Sequence, residues 1–286
     1  MPLRIDFVTI FPRMFDGFLA EGVIPRGVKQ GLLDIRVWDL RDYATDKHRS
    51  TDDEAYGGGP GMVMLGEPVF RCVEAIGASV PLSPAPSSVI LSRVDGEGPP
   101  AEAHERPKSE GGPSPSTGLR MTDRPHLVMT SPQGRRFDQA VANDLRAKDH
   151  LVFLCGRYEG FDHRVHEALQ PDEISVGDFV VSGGELPAML MADAVGRLIP
   201  GVVGNTGSVE EDSFFRGLLD YPHYTRPEEL RGMRVPDILL SGHHEKIRKW
   251  RKEQALRATL EKRPDLLETA GLDDEAREIL RGLGKF

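Results

Sequence analysis

The feature that most constrains the fold is a repeated alternation of strand and helix patterns. Short apolar segments typical of strands read LRIDFVTI, LLDIRVWDL, HLVMTS, HLVFLCG and, more briefly, EIS. The segments with helical spacing between and after them read PVFRCVEAIG, DQAVANDLRAK, FDHRVHEAL and LPAMLMADAVGRLI. This alternation predicts an α/β domain with a mainly parallel sheet. Because ligands of such sheets bind beyond the carboxyl ends of the strands, the loops after strands are the first candidates for a site. These loops are SPQG after HLVMT, GRYEG after HLVFLC, and the glycine-rich stretch after EIS.

Composition limits the classes of protein to which this chain can belong. The 286 residues, of which 39% are hydrophobic, suggest about two domains with a substantial core. The most apolar run contains Asp193 and Arg197, so no membrane span is expected. The two cysteines, Cys72 and Cys155, favour a reducing, cytoplasmic compartment. A net charge of −9 argues weakly against a broad nucleic-acid coat, but it allows a local basic patch.

Two segments interrupt the α/β pattern. Val94–Pro125 is rich in glycine and proline and poor in apolar residues, which predicts a disordered insert. Its GEGPPA sequence matches a dinucleotide fingerprint only formally, because tandem prolines are a poor context for that motif. A glycine-rich stretch, residues 201–212, predicts a flexible interdomain linker. A helical region follows, with Thr225 and Glu228 as a predicted capping box.

The longest C-terminal helix pattern carries many cations. We expect this helix to begin at a cap formed by Ser241 and to end before Pro264. Its apolar residues lie on two sides, one with Ile247 and Trp250 and another with Leu256 and Leu260. The helix is either a solvated charged surface or a surface that meets RNA phosphates. Its cations are Lys246, Arg248, Lys249, Arg251, Lys252, Arg257, Lys262 and Arg263.

The stretch ISVGDFVVSGGELPAM has an unusual composition. Glycine clusters allow a backbone to come close to a ligand, and phosphate is a common ligand of such loops. No lysine or arginine lies between Ile174 and Met189, however. A zinc site is not indicated either, because His163 and His166 have no accompanying cysteine or third histidine. The residues by themselves thus leave open what this loop binds if its ligand is not a phosphate.

Five motifs together carry a resemblance to a known family. They are DDEAYGGGPGMVM, SPQGRRFDQ, CGRYEGFD, SVGDFVVSGGELPAM and LLDYPHYTRPEEL. In this order, and over nearly the whole chain, they resemble the bacterial tRNA (guanine-N1)-methyltransferases of the SPOUT class (TrmD type). The resemblance implies a SPOUT-type sheet with a deep trefoil knot, one of the rare exceptions to unknotted chains. It also implies a homodimer with active sites at the subunit interface.

The same resemblance implies function and domain organisation. Members transfer a methyl group from S-adenosylmethionine to N1 of the guanosine at tRNA position 37, next to the anticodon. Residues 1–200 would form the SPOUT α/β cofactor-binding domain, and residues 213–286 a helical domain that binds tRNA. Because S-adenosylmethionine has no phosphate, a glycine-rich loop without lysine suits it. The residues at cofactor-lining positions are Pro132, Gly156, Glu159, Val176, Gly177, Asp178, Phe179, Val180, Val181, Gly183, Gly184 and Pro187.

The catalytic residues follow from the resemblance and from the chemistry of guanine. N1 carries a proton at neutral pH, so a base must remove it while a cation stabilises charge that develops on O6. Asp212 matches the family's base and Arg197 its essential arginine. Without the resemblance, Asp212 would be read as a helix cap and Arg197 as a charge at a helix end. The family also depends on Mg²⁺, whose ligands cannot be assigned here.

Other functions compete with this one. A non-catalytic RNA-binding or assembly protein could retain the fold, although the intact Asp212 and Arg197 argue against it. A nucleotide-dependent enzyme of ordinary doubly wound fold would need GxxxxGK[ST] or a credible GxGxxG, and the sequence has neither. A SPOUT enzyme that methylates a ribose or another base is a further alternative.

Overall fold

The computed structural model describes residues 1–77, 125–204 and 211–284. The predicted insert Val94–Pro125 therefore lies outside the described residues, apart from Pro125, as do residues 205–210 of the predicted linker. The chain divides into two compact units, and the predicted domain boundaries stay predictions. The first unit is Met1–Asp16, Asp34–Arg136 and Lys148–Met189, and the second is Gly17–Leu33, Phe137–Ala147 and Leu190–Phe286.

Strands and helices alternate through most of the chain. The strands are β1 (Leu3–Thr9), β2 (Leu33–Asp39), β3 (Asp52–Glu54), β4 (Met62–Met64), β5 (His126–Arg136), β6 (His150–Leu154), β7 (Asp172–Ser175), β8 (Glu229–Leu230) and β9 (Met233–Arg234). The helices are α1 (Asp16–Ala20), α2 (Val23–Lys29), α3 (Gly66–Gly77), α4 (Gln139–Arg146), α5 (His163–Leu169), α6 (Glu185–Gly196), α7 (Asp237–Leu240), α8 (His244–Lys262), α9 (Leu266–Thr269) and α10 (Asp274–Gly282).

A five-stranded sheet of order β2-β1-β6-β5-β7 forms the basis of the first unit. β1 pairs with β6, β6 with β5, and β5 with β7, each in parallel. The predicted α/β class with a mainly parallel sheet is confirmed, whereas the knot crossing stays a prediction. The rings of Phe7, Phe15 and Phe153 are fully buried, with Phe7 4.5 Å from Phe15 and 5.5 Å from Phe153. Burying these rings supplies much of the apolar free energy of this unit.

β5 is longer than the sequence pattern predicts. The SPQG segment was expected to be a loop after the strand, but β5 continues through it to Arg136. The register with β7 shifts between Thr130 and Arg135, which is where this segment lies. A Cβ on Gly134 would lie 2.4 Å from backbone atoms of Glu173 and Ile174. Glycine therefore lets the two strands approach each other, which apolar periodicity alone does not reveal.

The YGGGPGM motif forms the turn of a small hairpin. β3 and β4 pair antiparallel, and Gly57, Gly58, Gly59 and Gly61 between them all have positive φ. Such backbone angles strongly favour glycine. β4 is joined to the segment after β6, since the Glu159 N–H donates to the Met62 carbonyl and the Met64 N–H to the Gly160 carbonyl. The hairpin is thereby fixed beside the CGRYEG motif.

Helices dominate the second unit. Its C-terminal core contains the buried side chains of Leu256, Leu267, Ala276 and Leu280 from α8, α9 and α10. The predicted end of α8 before Pro264 is confirmed, but the cap is not Ser241, because α8 begins at His244. The Ser241 hydroxyl instead donates to the Ile238 carbonyl at the end of α7. Within the described residues, no helix is long and apolar enough to cross a membrane.

The predicted capping box at Thr225 and Glu228 is wrong. No helix begins there, because Glu229 and Leu230 form β8, which pairs antiparallel with β9. The Glu228 carboxylate accepts a hydrogen bond from the Arg234 side chain at 3.0 Å instead of capping a backbone N–H. Pairing with β9 thus overrides a local sequence signal that would also suit a helix start.

Candidate functional site

A cavity of about 510 Å³ lies in the first unit, beside the carboxyl ends of β6 and β7. Three stretches of chain form most of its wall: residues 129–133 of β5, residues 156–161 after β6, and residues 173–184 at and after β7, omitting Asp178. These are the loops in which a parallel sheet is expected to bind its ligand. The volume is within the range of about 300–1,000 Å³ that is typical of small-molecule sites.

Most of the predicted cofactor-lining residues line this one cavity. The eleven that do so are Pro132, Gly156, Glu159, Val176, Gly177, Phe179, Val180, Val181, Gly183, Gly184 and Pro187. The twelfth, Asp178, is exposed and is not part of the wall. The structure therefore brings the GRYEG and SVGDFVVSGGELP motifs together, although which residues contact a ligand stays a prediction.

Glycines at the cavity wall allow two loops to meet backbone to backbone. The Gly184 N–H donates to the Gly156 carbonyl at 2.8 Å. A Cβ on Gly184 would lie 2.0 Å from the Thr130 hydroxyl oxygen and 2.9 Å from backbone atoms of Cys155 and Gly156. Any larger residue at position 184 would separate the loops, because backbone atoms at this distance cannot yield as a flexible side chain can. The wall is thus closed by a contact that only glycine permits.

A buried ion pair lies beneath the same loops. Glu185, at the start of α6, is fully buried, and its carboxylate accepts hydrogen bonds from Arg157 Nε and the Thr9 hydroxyl, both at 2.8 Å. Arg157 also donates to the Ser182 carbonyl at 3.0 Å. A charge of this kind is tolerated in the interior only when it is paired and hydrogen-bonded. The pair links the loop after β6 to the loop before α6.

Sequence reasoning missed Arg157 and Glu185, although both lie within motifs that it singled out. The signal was available, since each is a charged residue directly after a glycine of its motif, Gly156 or Gly184. Their pairing has an electrostatic consequence for the cavity. Among the described residues, Arg157 is the only arginine or lysine that lines it, and its charge is offset by Glu185. Burial raises the pKa of the adjacent Cys155 thiol well above its usual range, and the Glu185 carboxylate adds to this rise.

The two predicted catalytic residues are in contact in the second unit. Arg197 Nη2 lies 2.7 Å from Asp212 Oδ2, and both side chains are partly exposed. The Asp212 Oδ2 atom itself is shielded and makes no hydrogen bond of good geometry with any described residue. The contact between Arg197 and Asp212 is therefore a charge–charge pair rather than a directed hydrogen bond. A carboxylate, which can accept a proton, and a guanidinium, which can stabilise negative charge, thus lie side by side.

Hydrogen bonds close the segment that carries Asp212. The Tyr221 hydroxyl donates to Glu211 Oε2 at 2.7 Å, and the Asp220 N–H donates to the Ser213 hydroxyl at 2.9 Å. Burial and this bond to Glu211 raise the pKa of Tyr221 to about 12. The tyrosine thus remains a neutral donor at physiological pH. These bonds hold Glu211, and with it the neighbouring Asp212, in a closed loop.

Several cations of the basic helix α8 form ion pairs with carboxylates of the same unit. Lys252 Nζ lies 2.7 Å from carboxylates of both Asp273 and Glu275, and Arg248 is bound by Glu245 and Glu275. Arg257 and Arg263 also have carboxylate partners. The cations without a carboxylate partner among the described residues are Lys246, Lys249, Arg251 and Lys262. The surface available to an anion is therefore smaller than the sequence suggests.

Metal ligands are not apparent in the part of the chain that the structure describes. Within those residues, no three histidine, cysteine, aspartate or glutamate side chains are placed to hold a metal ion. His166 Nδ1 is engaged with Glu173 at 2.9 Å at the cavity wall. The described residues therefore do not indicate which side chains would bind Mg²⁺.

Fold and cavity together define an α/β ligand-binding protein with a glycine-walled pocket at the ends of parallel strands. A family profile described as tRNA (Guanine-1)-methyltransferase TrmD matches residues 3–100 and 117–269. The chain therefore belongs to this family of methyltransferases. Residues 101–116, which the profile leaves unmatched, lie within the predicted insert.

Individual relatives agree with the profile. A protein from Geobacter metallireducens, named tRNA (guanine-N(1)-)-methyltransferase, is 45% identical over 97% of this chain and 96% of its own length. Another of the same name, from Pelotomaculum thermopropionicum, is 44% identical over 98% of this chain and 96% of its own. The resemblance drawn from the five motifs is thus confirmed.

Proposed function

We propose that this chain transfers a methyl group from S-adenosylmethionine to N1 of the guanosine at tRNA position 37, giving 1-methylguanosine. The observation that carries the proposal is the cavity closed by Gly156 and Gly184, with its single arginine neutralised, in a chain of this family. Such a wall suits a ligand that is planar at one end and has no phosphate. The part of this wall that the structure describes offers no free cation of the kind that phosphate-binding loops use.

The residues at the cavity fit S-adenosylmethionine. Apolar side chains of Val176, Phe179 and Pro187 provide surfaces for an adenine ring, while the backbone N–H of Gly156 can hydrogen-bond its edge. Glu159, which is exposed at the rim, would face the ammonium group. When bound, S-adenosylmethionine supplies an electrophilic methyl group on its sulfonium.

Asp212 and Arg197 complement one edge of guanine. That edge presents the N1–H donor directly beside the O6 acceptor. A carboxylate oxygen and a guanidinium nitrogen only 2.7 Å apart can face these two groups at once. Asp212 would accept the N1 proton, and Arg197 would stabilise the negative charge that moves onto O6. The guanine must leave its base stack to present this edge, as is usual for enzymes that modify bases.

The active assembly is proposed to be a homodimer in the cytoplasm. Phe179, Val180 and Leu186 are more than half exposed, and exposed apolar patches mark interaction surfaces. Both cysteines are buried and unpaired, as in proteins of reducing compartments. The family resemblance implies active sites at the subunit interface and a requirement for Mg²⁺, and we include both in the proposal.

The test is methylation of a defined RNA. Purified protein, labelled S-adenosylmethionine, Mg²⁺ and a tRNA transcript with G36 and G37 should yield 1-methylguanosine, located by nuclease digestion and mass spectrometry. A transcript with adenosine at position 37 is the matched control and should remain unlabelled. Label on a ribose, on another base, or equally on both transcripts would contradict the proposal. RNA binding without any transfer would favour the non-catalytic alternative.

A further inference from the structure

A second pocket, of about 570 Å³, lies entirely within the second unit. It includes neither the cofactor cavity nor the Arg197–Asp212 pair. Its wall combines the PHYTR part of a family motif, the helix α7 and the first turns of α8. The residues that line it are Tyr221, Pro222, His223, Tyr224, Thr225, Arg226, Glu228, Val235, Leu239, Leu240, Ile247, Trp250 and Arg251.

The two apolar sides of α8 explain why this pocket exists. Leu256 and Leu260 belong to the core with α9 and α10. Ile247 and Trp250, on the other side, line the pocket instead. A helix side rich in apolar atoms normally packs against another element. The pocket is thus an apolar surface that no described helix or strand fills.

Aromatic rings dominate the open wall. The ring of Tyr224 lies 6.4 Å from that of Trp250, inclined by 52°, and Tyr224 is 50% exposed. Tyr221 and His223 form a second ring contact, 4.6 Å between centroids. Half-exposed aromatic faces are the surfaces on which single-stranded nucleic acids stack their bases, because every base has a π-face.

Two arginines give the pocket an uncompensated positive charge. Arg226 is exposed, and Arg251 lies over the Tyr221 ring with its guanidinium carbon 4.9 Å from the centroid. Neither has a carboxylate partner among the described residues. The Nε atom of Arg251 is shielded and lacks a hydrogen-bond acceptor within the same residues. Glu228, the one acidic residue among the described residues of the wall, is already bound by Arg234 at 3.0 Å.

We propose that this pocket binds one unpaired nucleotide of the tRNA. Its base would stack on Tyr224 beside Trp250, and its phosphate would lie against Arg226 and Arg251. A planar group joined to an anion can contact both the aromatic rings and the arginines of the wall. The carboxylates of an acidic peptide would contact the arginines but leave the aromatic faces unused. A duplex is unsuitable, because its bases are already stacked on one another. The inference rests on the proposed function, since it takes tRNA as the substrate.

The decisive comparison is between two substitutions at one position. Tyr224→Leu removes the ring, whereas Tyr224→Phe keeps it and removes only the hydroxyl. Affinity for a fluorescent anticodon stem-loop RNA should fall about 5- to 150-fold in Tyr224→Leu, the usual effect of losing one base–aromatic stack. Tyr224→Phe should stay within about twofold, because the π-face that carries the stack is retained. Leu230→Ser, on an exposed side chain outside the pocket, is the matched control.

The salt dependence of RNA binding distinguishes the contribution of the aromatic rings from that of the arginines. Tyr224→Leu should leave the slope of log Kd against log salt unchanged, because no phosphate contact is lost. Arg226→Gln should make the slope shallower by about 0.7–0.9, the contribution of one phosphate on a single strand or duplex. Calorimetry of S-adenosylmethionine binding should match the parent protein for every variant, because the cofactor cavity lies in the first unit. Thermal unfolding should also change little, because Tyr224 is half exposed and Arg226 is exposed.

Several results would overturn the inference. Folded Tyr224→Leu that binds the stem-loop as tightly as the parent protein would show that no base stacks here. Equal losses in Tyr224→Leu and Tyr224→Phe would assign the effect to the hydroxyl and contradict stacking. Sedimentation that shows Tyr224→Leu to change oligomeric state would assign the pocket to a second copy of the chain. Failure of the parent protein to methylate the tRNA transcript would instead refute the proposed function, while binding of the stem-loop by the variants could still be compared.

Discussion

The cofactor cavity and the aromatic pocket of the second unit have similar volumes but opposite electrostatics. Each is lined by arginine. In the cavity, Arg157 is held by the buried carboxylate of Glu185, so its charge is offset within the protein. In the aromatic pocket, Arg226 and Arg251 have no carboxylate partner among the described residues, and the one acid of the wall is engaged elsewhere.

The difference shows that residue type alone does not indicate what a pocket binds. An arginine that is already paired positions loops, whereas an unpaired arginine attracts anions. Glycine closes the cavity by backbone contact, which favours a compact ligand without phosphate. Aromatic rings beside free arginines favour a nucleotide. Five substitutions test this division, from the largest expected effect to the smallest.

Asp212→Asn should separate chemistry from cofactor binding. The amide keeps the shape of the carboxylate but cannot accept the N1 proton, so single-turnover methyl transfer at saturating tRNA should fall about 10²- to 10⁴-fold. Calorimetric affinity for S-adenosylmethionine should be unchanged, because the cavity residues do not include Asp212. Asp237→Asn, an exposed aspartate of the same unit, is the matched control. Transfer by Asp212→Asn within about threefold of the parent rate would require a different base.

Glu185→Gln should show whether the loops that form the cavity depend on the ion pair between Arg157 and Glu185. The substitution leaves Arg157 without a counter-charge, and breaking a buried pair in this way typically costs about 3–5 kcal/mol. The free energy of unfolding in urea should fall by that order. Glu74→Gln, an exposed glutamate on α3, should change it by less than about 0.5 kcal/mol. If both variants were equally stable, the buried pair would not hold the loops together.

Gly184→Ala should damage the cavity by adding a single methyl group. The new Cβ would overlap the Thr130 hydroxyl and the backbone at Cys155 and Gly156. Overpacking of this kind costs about 1–3 kcal/mol, which corresponds to roughly 5- to 150-fold in affinity for S-adenosylmethionine if the loops move apart. Calorimetry would measure this loss. Gly17→Ala, which has no neighbouring atom within 4 Å of its Cβ, should bind normally.

Lys249→Glu and Lys252→Glu should differ although they lie on one helix. Lys249 has no ion-pair partner among the described residues, so reversing its charge should weaken tRNA binding a few-fold and flatten the salt dependence by about 0.7–0.9. Lys252 is bound by Asp273 and Glu275, so its reversal should instead lower stability by about 1–3 kcal/mol. Binding isotherms and urea unfolding measure the two effects. Identical behaviour of the variants would mean that the ion pairs do not determine which cations are available.

Local sequence patterns predicted the elements that depend on local physics. The apolar periodicity of LRIDFVTI and HLVFLCG predicts β1 and β6, and the helical spacing of PVFRCVEAIG predicts α3. Local signals failed where pairing with another strand decided the outcome. Thr225 and Glu228 read as a helix start, yet β8 pairs with β9. SPQG reads as a loop, yet β5 continues beside β7 because Gly134 allows the strands to approach.

The sequence by itself determined the α/β class, the family and the motifs from which the cavity is built, because these depend on residue type and order. Only the tertiary structure decided which charges are neutralised. Thr9 and Glu185 meet across 176 residues of sequence, and Lys252 meets Asp273 across 21. No periodicity encodes such pairings, since they arise when the chain brings distant carboxylates and cations within hydrogen-bond distance. The free energy of burying a charge then decides that it must be paired.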